Sequence, residues 1–172
     1  MAIYLIALMS TLCNTAFAGS RVVMSLLAIE LGANPFEVGL LAALFALIPM
    51  LLAIYAGKLI DRVGARGPML AGTLCLALCL MLPAAYPRLL VLYAVAPLLG
   101  LCFMLFFVAV QGVTGAVGRE QDRARNYGVL SIGFSISGVL GPLIAGFSID
   151  YLGHPRALLI LAGCTLLPLL LL

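Results

Sequence analysis

The side chains that could do chemistry concentrate in one short stretch, residues 57–66, with the pattern Gly-x3-Asp-Arg-x-Gly-x-Arg. Its defining residues are Gly57, Asp61, Arg62, Gly64 and Arg66. Asp61 lies at the edge of an apolar run, where an unpaired carboxylate is costly. Its candidate partners are four arginines: Arg62, Arg66, Arg123 and Arg125. Glu120 can pair with one of these arginines in turn. Because such a cluster can stabilise one conformation and separate in another, it predicts a gate. The alternative is a solvated loop that serves only the topology of the chain.

A second group of polar side chains follows one face of the first apolar run. Ser10, Asn14, Arg21 and Ser25 are separated by four, seven and four residues, which is the spacing of a single helical face. On a membrane helix, such a stripe should face the bundle interior or a water-filled cavity. Arg21 would there attract a carboxylate or a phosphate. The alternative is that Arg21 extends to the outer lipid headgroups.

The remaining reactive side chains form no recognisable site. His154 is the only histidine, and the five cysteines include no Cys-x2-Cys pair. Cysteine in an apolar run commonly behaves as a small apolar residue. We therefore expect no metal site and no cofactor. An intramembrane protease would need a serine and a histidine, or two carboxylates, within the bilayer, and the sequence places neither there.

The elements that position these residues follow from the composition. Hydrophobic residues make up 65% of the 172 positions and charged residues 9%, whereas soluble domains have roughly 45–50% and about 25%. This excludes a soluble enzyme and a nucleic-acid-binding domain. The charged residues separate six uncharged runs: 1–20, 38–57, 67–87, 89–118, 126–149 and 157–172. About 20 apolar residues cross a bilayer as a helix, in which the backbone polar groups are paired internally.

The predicted fold class is therefore an all-α, multi-pass membrane protein with six transmembrane helices. We expect them at about 3–28, 37–57, 68–86, 89–117, 127–149 and 157–172. Four internal prolines should bend these helices: Pro49, Pro83, Pro97 and Pro142. The last run has no polar flank, so we expect the sixth helix to be truncated.

The basic residues predict the orientation of the bundle. The loops after the second and fourth helices carry Lys58, Arg62, Arg66, Arg119, Arg123 and Arg125. The opposite side carries Arg21, Arg88 and Arg156. Because basic residues favour the cytoplasmic side, we expect the first set and the N-terminus to lie in the cytoplasm, with the helices in the cell inner membrane.

An internal repeat relates the two halves of the chain. Shifted by 89 residues, 39–64 and 128–153 share nine identities in 26 positions. The identities include Gly57/Gly146, Asp61/Asp150 and Gly64/Gly153. Three spans separate the copies, so they should lie on opposite faces of the membrane. This predicts a three-plus-three inverted repeat of 1–87 and 88–172, an arrangement typical of secondary transporters. The alternative is chance similarity between glycine-punctuated helices.

The stretch 57–66 resembles the cytoplasmic signature loop of the major facilitator superfamily, which also lies between the second and third spans. The resemblance covers the whole chain and implies that 1–172 is the N-terminal six-helix half of a usually twelve-helix transporter. It implies that the gate, together with Glu120 and Arg123, stabilises the outward-facing state. Gly67 stands where the family often has another basic residue, which implies a weaker basic cluster.

The fifth span is similar to a motif of antiporter branches of this family. Its residues are Gly128, Ser137, Gly141, Pro142 and Gly146, with Ser137 and Ala145 replacing two glycines. Small residues allow helices to approach closely, and proline bends a helix. The resemblance implies a hinge and a tight seam against the second half, which favours export. Ordinary packing of small residues is the alternative.

The fourth span, with Gln111-Gly112-x-Thr114, is similar to another family motif. We therefore expect a substrate cavity lined by Asn14, Arg21, Gln111 and Thr114. The arginine that this motif places three positions before the glutamine is Val108 here. No acidic residue lies mid-span, so a proton-carrying carboxylate would come from the second half, or the mechanism is uniport or anion exchange.

These patterns predict a secondary active transporter that moves a small solute by alternating access, with export or antiport favoured by the fifth span and an anion favoured by Arg21. Its expected partners are the lipid bilayer, the solute and a missing C-terminal six-helix half, without nucleic acid. One alternative is a truncated half-transporter that does not transport alone. The least favoured alternative is an intramembrane enzyme.

Overall fold

Six long helices account for nearly all of the chain. The computed structural model describes residues 2–169, and within them there is no strand. The helices are α1 (Ala2–Glu30), α2 (Pro35–Val63), α3 (Arg66–Ala85), α4 (Leu89–Ala116), α5 (Arg123–Leu152) and α6 (His154–Leu169), with a short 3-10 turn at Glu120–Asp122. This confirms the predicted all-α fold class. The predicted continuation of the sixth helix over 170–172 lies outside the described residues.

Five of these helices are long and apolar enough to cross a membrane, and α6 is a shorter apolar helix of 16 residues. The helices continue through Pro49, Pro83, Pro97 and Pro142. Proline donates no backbone hydrogen bond, so the carbonyl four residues earlier loses its usual helical partner. In α2 that carbonyl belongs to Phe45.

Helix α2 begins earlier and ends later than predicted, and both limits have a local cause. At its start, Asn34 and Glu37 form a reciprocal capping box, with the Glu37 N–H donating to Asn34 Oδ1 at 2.9 Å. At its end, Gly64 adopts φ +81°, which a residue with a side chain rarely adopts. The expectation that 58–66 is a loop is therefore wrong for its first part: Lys58, Asp61 and Arg62 lie on the last turns of α2.

The backbone repeats with the offset that the sequence predicts. Shifted by 89 residues, α2 would cover 124–152, and α5 covers 123–152. The two helices end in the same way. Gly64 (φ +81°, ψ 165°) donates its N–H to the Ile60 carbonyl, and Gly153 (φ +81°, ψ 166°) donates to the Ile149 carbonyl, both at 2.9 Å. The two copies therefore share one capping geometry.

The main contacts between helices join one three-helix repeat to the other. Helix α1 packs against α5, and its counterpart α4 packs against α2. Helix α3 packs against α4, its counterpart α6 packs against α1, and α3 and α6 contact each other. Each contact within this set has its counterpart under the 89-residue shift. Neither three-helix repeat therefore forms a core by itself, and the six helices make one bundle.

The bundle core is apolar, and most of the hydroxyls within it bond to their own helices. The largest fully buried side chains include Phe106, Met24, Leu80 and Leu99. Hydroxyl donors to carbonyls three or four residues earlier are Ser10, Thr15, Ser20, Thr73, Ser137 and Thr165. This local bonding satisfies a polar group without a partner helix. Ser10, predicted to face a cavity, is among these buried residues.

Candidate functional site

The charged side chains of 57–66 lie where α2 meets α3, near the connection of α4 to α5; we name this the motif end. Asp61, Arg62 and Arg66 are all exposed. Within residues 2–169, the ion pairs at the motif end are Arg123 with Glu120 at 3.3 Å and Arg125 with Asp122 at 3.8 Å. The pairing of Glu120 with an arginine is thus present. Asp61 is not brought together with its predicted arginine partners in this arrangement.

The C-terminal end of α4 is held by side chains from α5. Arg123 Nε donates to the Gly115 carbonyl at 3.2 Å, and Tyr127 Oη donates to the Gln111 carbonyl at 3.1 Å. Asn126, which is buried, donates from Nδ2 to the Val117 carbonyl at 2.7 Å. The last carbonyls of a helix lack intrahelical partners, and a cation is favourable there. The gate residue Arg123 therefore also caps α4. Sequence reasoning missed Asn126 and Tyr127.

Replacing Asn126 by leucine should lower the free energy of unfolding by about 1–3 kcal/mol, because the Val117 carbonyl loses the hydrogen bond that the buried Asn126 side chain donates. Tyr127→Phe is the matched control, since it removes a similar bond at an exposed position and should cost less than about 1 kcal/mol. Denaturant unfolding of the chain in detergent micelles, followed by circular dichroism, measures both. Equal effects would contradict a buried cap.

Two adjoining cavities meet at Arg21. One has a volume of about 480 Å³ and the other about 280 Å³, and both are lined by Arg21, Ala42 and Phe45. The Arg21 guanidinium carbon lies 6.0 Å from the centre of the Phe45 ring, the limit at which a cation attracts an aromatic face. The structure thus places Arg21 in the lining of both cavities, and its predicted role in binding a substrate stays a prediction.

The other predicted cavity residues are placed differently. Asn14 is half-buried and donates to Ser137 Oγ on α5 at 2.5 Å. Gln111 is half-buried on α4, and its carbonyl accepts from Tyr127. Thr114 is fully buried, and its hydroxyl has no hydrogen-bond partner within the described residues. Neither cavity at Arg21 is lined by these three residues. For Asn14 the reason is that α5 packs over that part of α1.

A row of phenylalanines crosses four helices beside the smaller cavity. Phe17 and Phe103 stack with their centroids 4.1 Å apart, and Phe45 meets Phe17 edge-on at 5.9 Å. Phe107 continues the row, 5.9 Å from Phe103 and 5.2 Å from Phe134. Such distances and orientations are favourable for aromatic pairs. Sequence reasoning missed this row because its members come from four different helices and stand among other apolar residues.

The small residues of α5 divide between two faces. A methyl group on Gly141 would lie 2.8 Å from Ala18 Cβ and 2.8 Å from the Thr15 carbonyl oxygen, so α1 and α5 are in close contact there. Ser137 and Gly141 therefore form a seam inside this bundle, and the prediction that they face a second half is wrong. The reason is that helical spacing identifies a small-residue face and leaves its neighbour unspecified.

The remaining members of the predicted hinge lie away from this seam. Gly128 and Pro142 are exposed, and Gly146 is half-buried. Methyl groups on Gly128 and Gly146 would have no atom within 4 Å. Pro142 also lines the larger cavity at Arg21.

With this geometry established, comparison with known proteins identifies the family. The family model of the Major Facilitator Superfamily matches residues 4–172. The chain belongs to this superfamily. Membership agrees with the motif between α2 and α3, and it makes the chain an integral, multi-pass membrane protein of a transporter family.

Two relatives of this superfamily member carry resistance names. The tetracycline resistance protein, class C, of Escherichia coli is 34% identical over 116 residues, which is 63% of this chain and 27% of that protein. The quinolone resistance protein NorA of Staphylococcus aureus (strain MRSA252) is 27% identical over 118 residues, 69% of this chain and 30% of that protein. The chain thus covers less than a third of the length of either relative.

The superfamily member also has a polar clasp at the end opposite the motif end. His154 Nδ1, at the start of α6, lies 2.7 Å from Glu30 Oε2, at the end of α1. The His154 ring is largely buried, whereas Glu30 is exposed. Sequence reasoning treated His154 only as an argument against a metal site and an intramembrane protease, because 123 residues of chain separate it from Glu30.

Proposed function

We propose that the chain forms the N-terminal half of a secondary active transporter that moves a small solute by alternating access. The observation that carries this proposal is that two three-helix repeats pack against each other around open cavities at Arg21, in a member of the Major Facilitator Superfamily. Transporters built from such repeats bind solute between two bundles that rock around the site. Family membership supports transport over intramembrane catalysis.

The resistance names of the two relatives support export as the direction. The acidic residues of this chain lie at or near helix ends: Glu30, Glu37, Asp61, Glu120, Asp122 and Asp150. A carboxylate that carries a proton at mid-membrane is therefore assigned to a second six-helix half. If that half has none, uniport or anion exchange replaces proton antiport.

The motif end is proposed to act as the cytoplasmic gate. Asp61 and Arg62 are exposed on the last turn of α2, so they remain accessible to a second bundle. Closing the cytoplasmic side would bring the carboxylate of Asp61 to a cation or to the start of a helix in that bundle, where negative charge is favourable. Opening that side would separate them.

Reporter fusions test the orientation on which this gate depends. Reporters placed after Gly64 and Gly118 should both lie in the cytoplasm. Reporters placed after Gly32, Pro87 and Gly153 should lie on the other side, because consecutive membrane-spanning helices alternate in direction and the basic residues favour the cytoplasm. Protease accessibility of the same fusions is an independent readout. Finding the first two reporters on different sides would contradict the topology and the gate.

Transport itself is tested with inside-out vesicles from cells that express the complete coding region containing this chain. A panel of organic anions and cationic dyes should include a solute that accumulates when an ion gradient is present and is released when an ionophore dissipates it. A vesicle without the protein is the control. Accumulation driven by ATP without a gradient would contradict secondary transport. Absence of transport by residues 1–172 alone would favour the half-transporter alternative for this product.

A further inference from the structure

The two cavities at Arg21 combine a single positive charge with an aromatic wall. The larger cavity is lined by apolar residues together with Arg21 and Ser25. The smaller cavity is lined by apolar residues and Arg21 alone, among them Phe17, Phe45, Phe103 and Phe107. Among residues 2–169, no acidic side chain lines either cavity. The local chemistry therefore favours an occupant that has an anionic group and an apolar body.

Arg21 is available to bind that anionic group. It is exposed on α1, and the ion pairs within residues 2–169 do not include it. The guanidinium group presents a planar fork of donors that matches a carboxylate with two parallel hydrogen bonds.

The lining of the smaller cavity favours an aromatic ring. Its walls include the stacked pair of Phe17 and Phe103, whose ring planes differ by 2°. Met104 and Pro49 complete the apolar lining, and both aromatic rings and a thioether make favourable contacts with another ring. A cavity of about 150 Å³ accepts benzene, so about 280 Å³ has room for two fused rings.

We propose that the cavities at Arg21 bind an aromatic carboxylate of one or two fused rings. The carboxylate pairs with Arg21, and the ring lies against the phenylalanines of the smaller cavity. Substituents on the ring extend into the larger cavity on the other side of Arg21 and Phe45. As a statement about the transported solute, this inference depends on the proposed function. As a statement about binding, it stands on the cavity alone.

Binding to the 172-residue chain in lipid nanodiscs tests the inference, with four small probes and calorimetric titration. The probes are 2-naphthoate, its neutral analogue 2-naphthalenemethanol, its cationic analogue 2-naphthylmethylammonium and the non-aromatic anion cyclohexanecarboxylate. We expect 2-naphthoate to bind at least tenfold more tightly than each of the other three. Equal affinity for 2-naphthoate and the alcohol, or no binding of 2-naphthoate, overturns the inference.

Variants assign the two parts of the site. Arg21→Gln should weaken 2-naphthoate binding at least tenfold and leave the alcohol unaffected. Arg156→Gln, in the first turn of α6 and outside the lining of both cavities, should change neither. Phe103→Leu should weaken 2-naphthoate severalfold, and the exposed Phe147→Leu should not. If Arg21→Gln does not fold, Arg21→Lys keeps the charge without the fork and should still weaken binding. Unchanged 2-naphthoate binding in the folded Arg21 variant overturns the assignment.

The binding experiment and the transport experiment test the two proposals independently. A chain that binds 2-naphthoate through Arg21 in a protein that moves no solute would contradict the proposed function and leave the binding site intact. Gradient-driven transport with no Arg21-dependent binding of 2-naphthoate would contradict this inference and leave the proposed function intact.

Discussion

Gly100→Ala should lower the free energy of unfolding of the bundle by about 1–3 kcal/mol, the usual cost of adding atoms to a packed interior. A methyl group at this position would overlap the Phe45 carbonyl oxygen and lie 3.1 Å from Pro49 Cγ. Since Pro49 has no N–H, that carbonyl has lost its helical partner, and α4 approaches α2 at the same place. The collision is therefore with backbone, which cannot rotate away as a flexible side chain can.

Gly138→Ala is the matched control for this collision. Gly138 also lies within a long helix, but a methyl group there would have no atom within 4 Å. The change should leave the free energy of unfolding unchanged or raise it slightly, because alanine has less conformational freedom to lose on folding. Gly141→Ala should behave like Gly100→Ala, since its methyl group would meet α1. Denaturant unfolding in micelles separates the two classes, and a similar loss at Gly138 would mean that close approach is not the cause.

Asp61→Asn should reduce gradient-driven transport at least tenfold while the amount of inserted protein stays the same. The substitution keeps the shape of the side chain and removes the charge with which the proposed cytoplasmic gate closes. Initial rates in inside-out vesicles, normalised to protein detected in the membrane, measure the effect. Because Asp61 is exposed and unpaired within the described residues, the variant should unfold at the same denaturant concentration as the parent.

Asp150→Asn is the control that the internal repeat provides. Asp150 occupies the equivalent place on α5, three residues before the capping glycine Gly153, as Asp61 lies three residues before Gly64. It lies at the other end of the bundle, away from the basic residues of the motif end. Transport should remain within twofold of the parent. Equal losses in both variants would indicate a common structural role at the helix end and would remove the support for a gate at Asp61.

The sequence alone determined the class of fold, the six helices and the repeat. Lipid offers no hydrogen-bond partner, so uncharged runs of about 20 residues have to be helical. Gly64 and Gly153 mark the same helix cap in each copy, because only glycine readily adopts a φ of +81°. The helix ends were predicted less accurately than the helices themselves. Asp61 and Arg62 are charged yet lie in α2, because a helix can extend past the apolar layer of the membrane until a glycine ends it.

Only the tertiary structure decided which faces meet. Helical spacing groups Asn14 with Arg21 on one face of α1, and Ser137 with Gly141 on one face of α5. The spacing did not predict that α5 covers α1 at Asn14 or that Gly141 packs within the same bundle. It also did not predict that phenylalanines from different helices form one row beside Arg21. The physical reason is that lipid and protein interior are both apolar. A leucine or a phenylalanine suits either, so composition distinguishes membrane from water but does not distinguish a neighbouring helix from the bilayer.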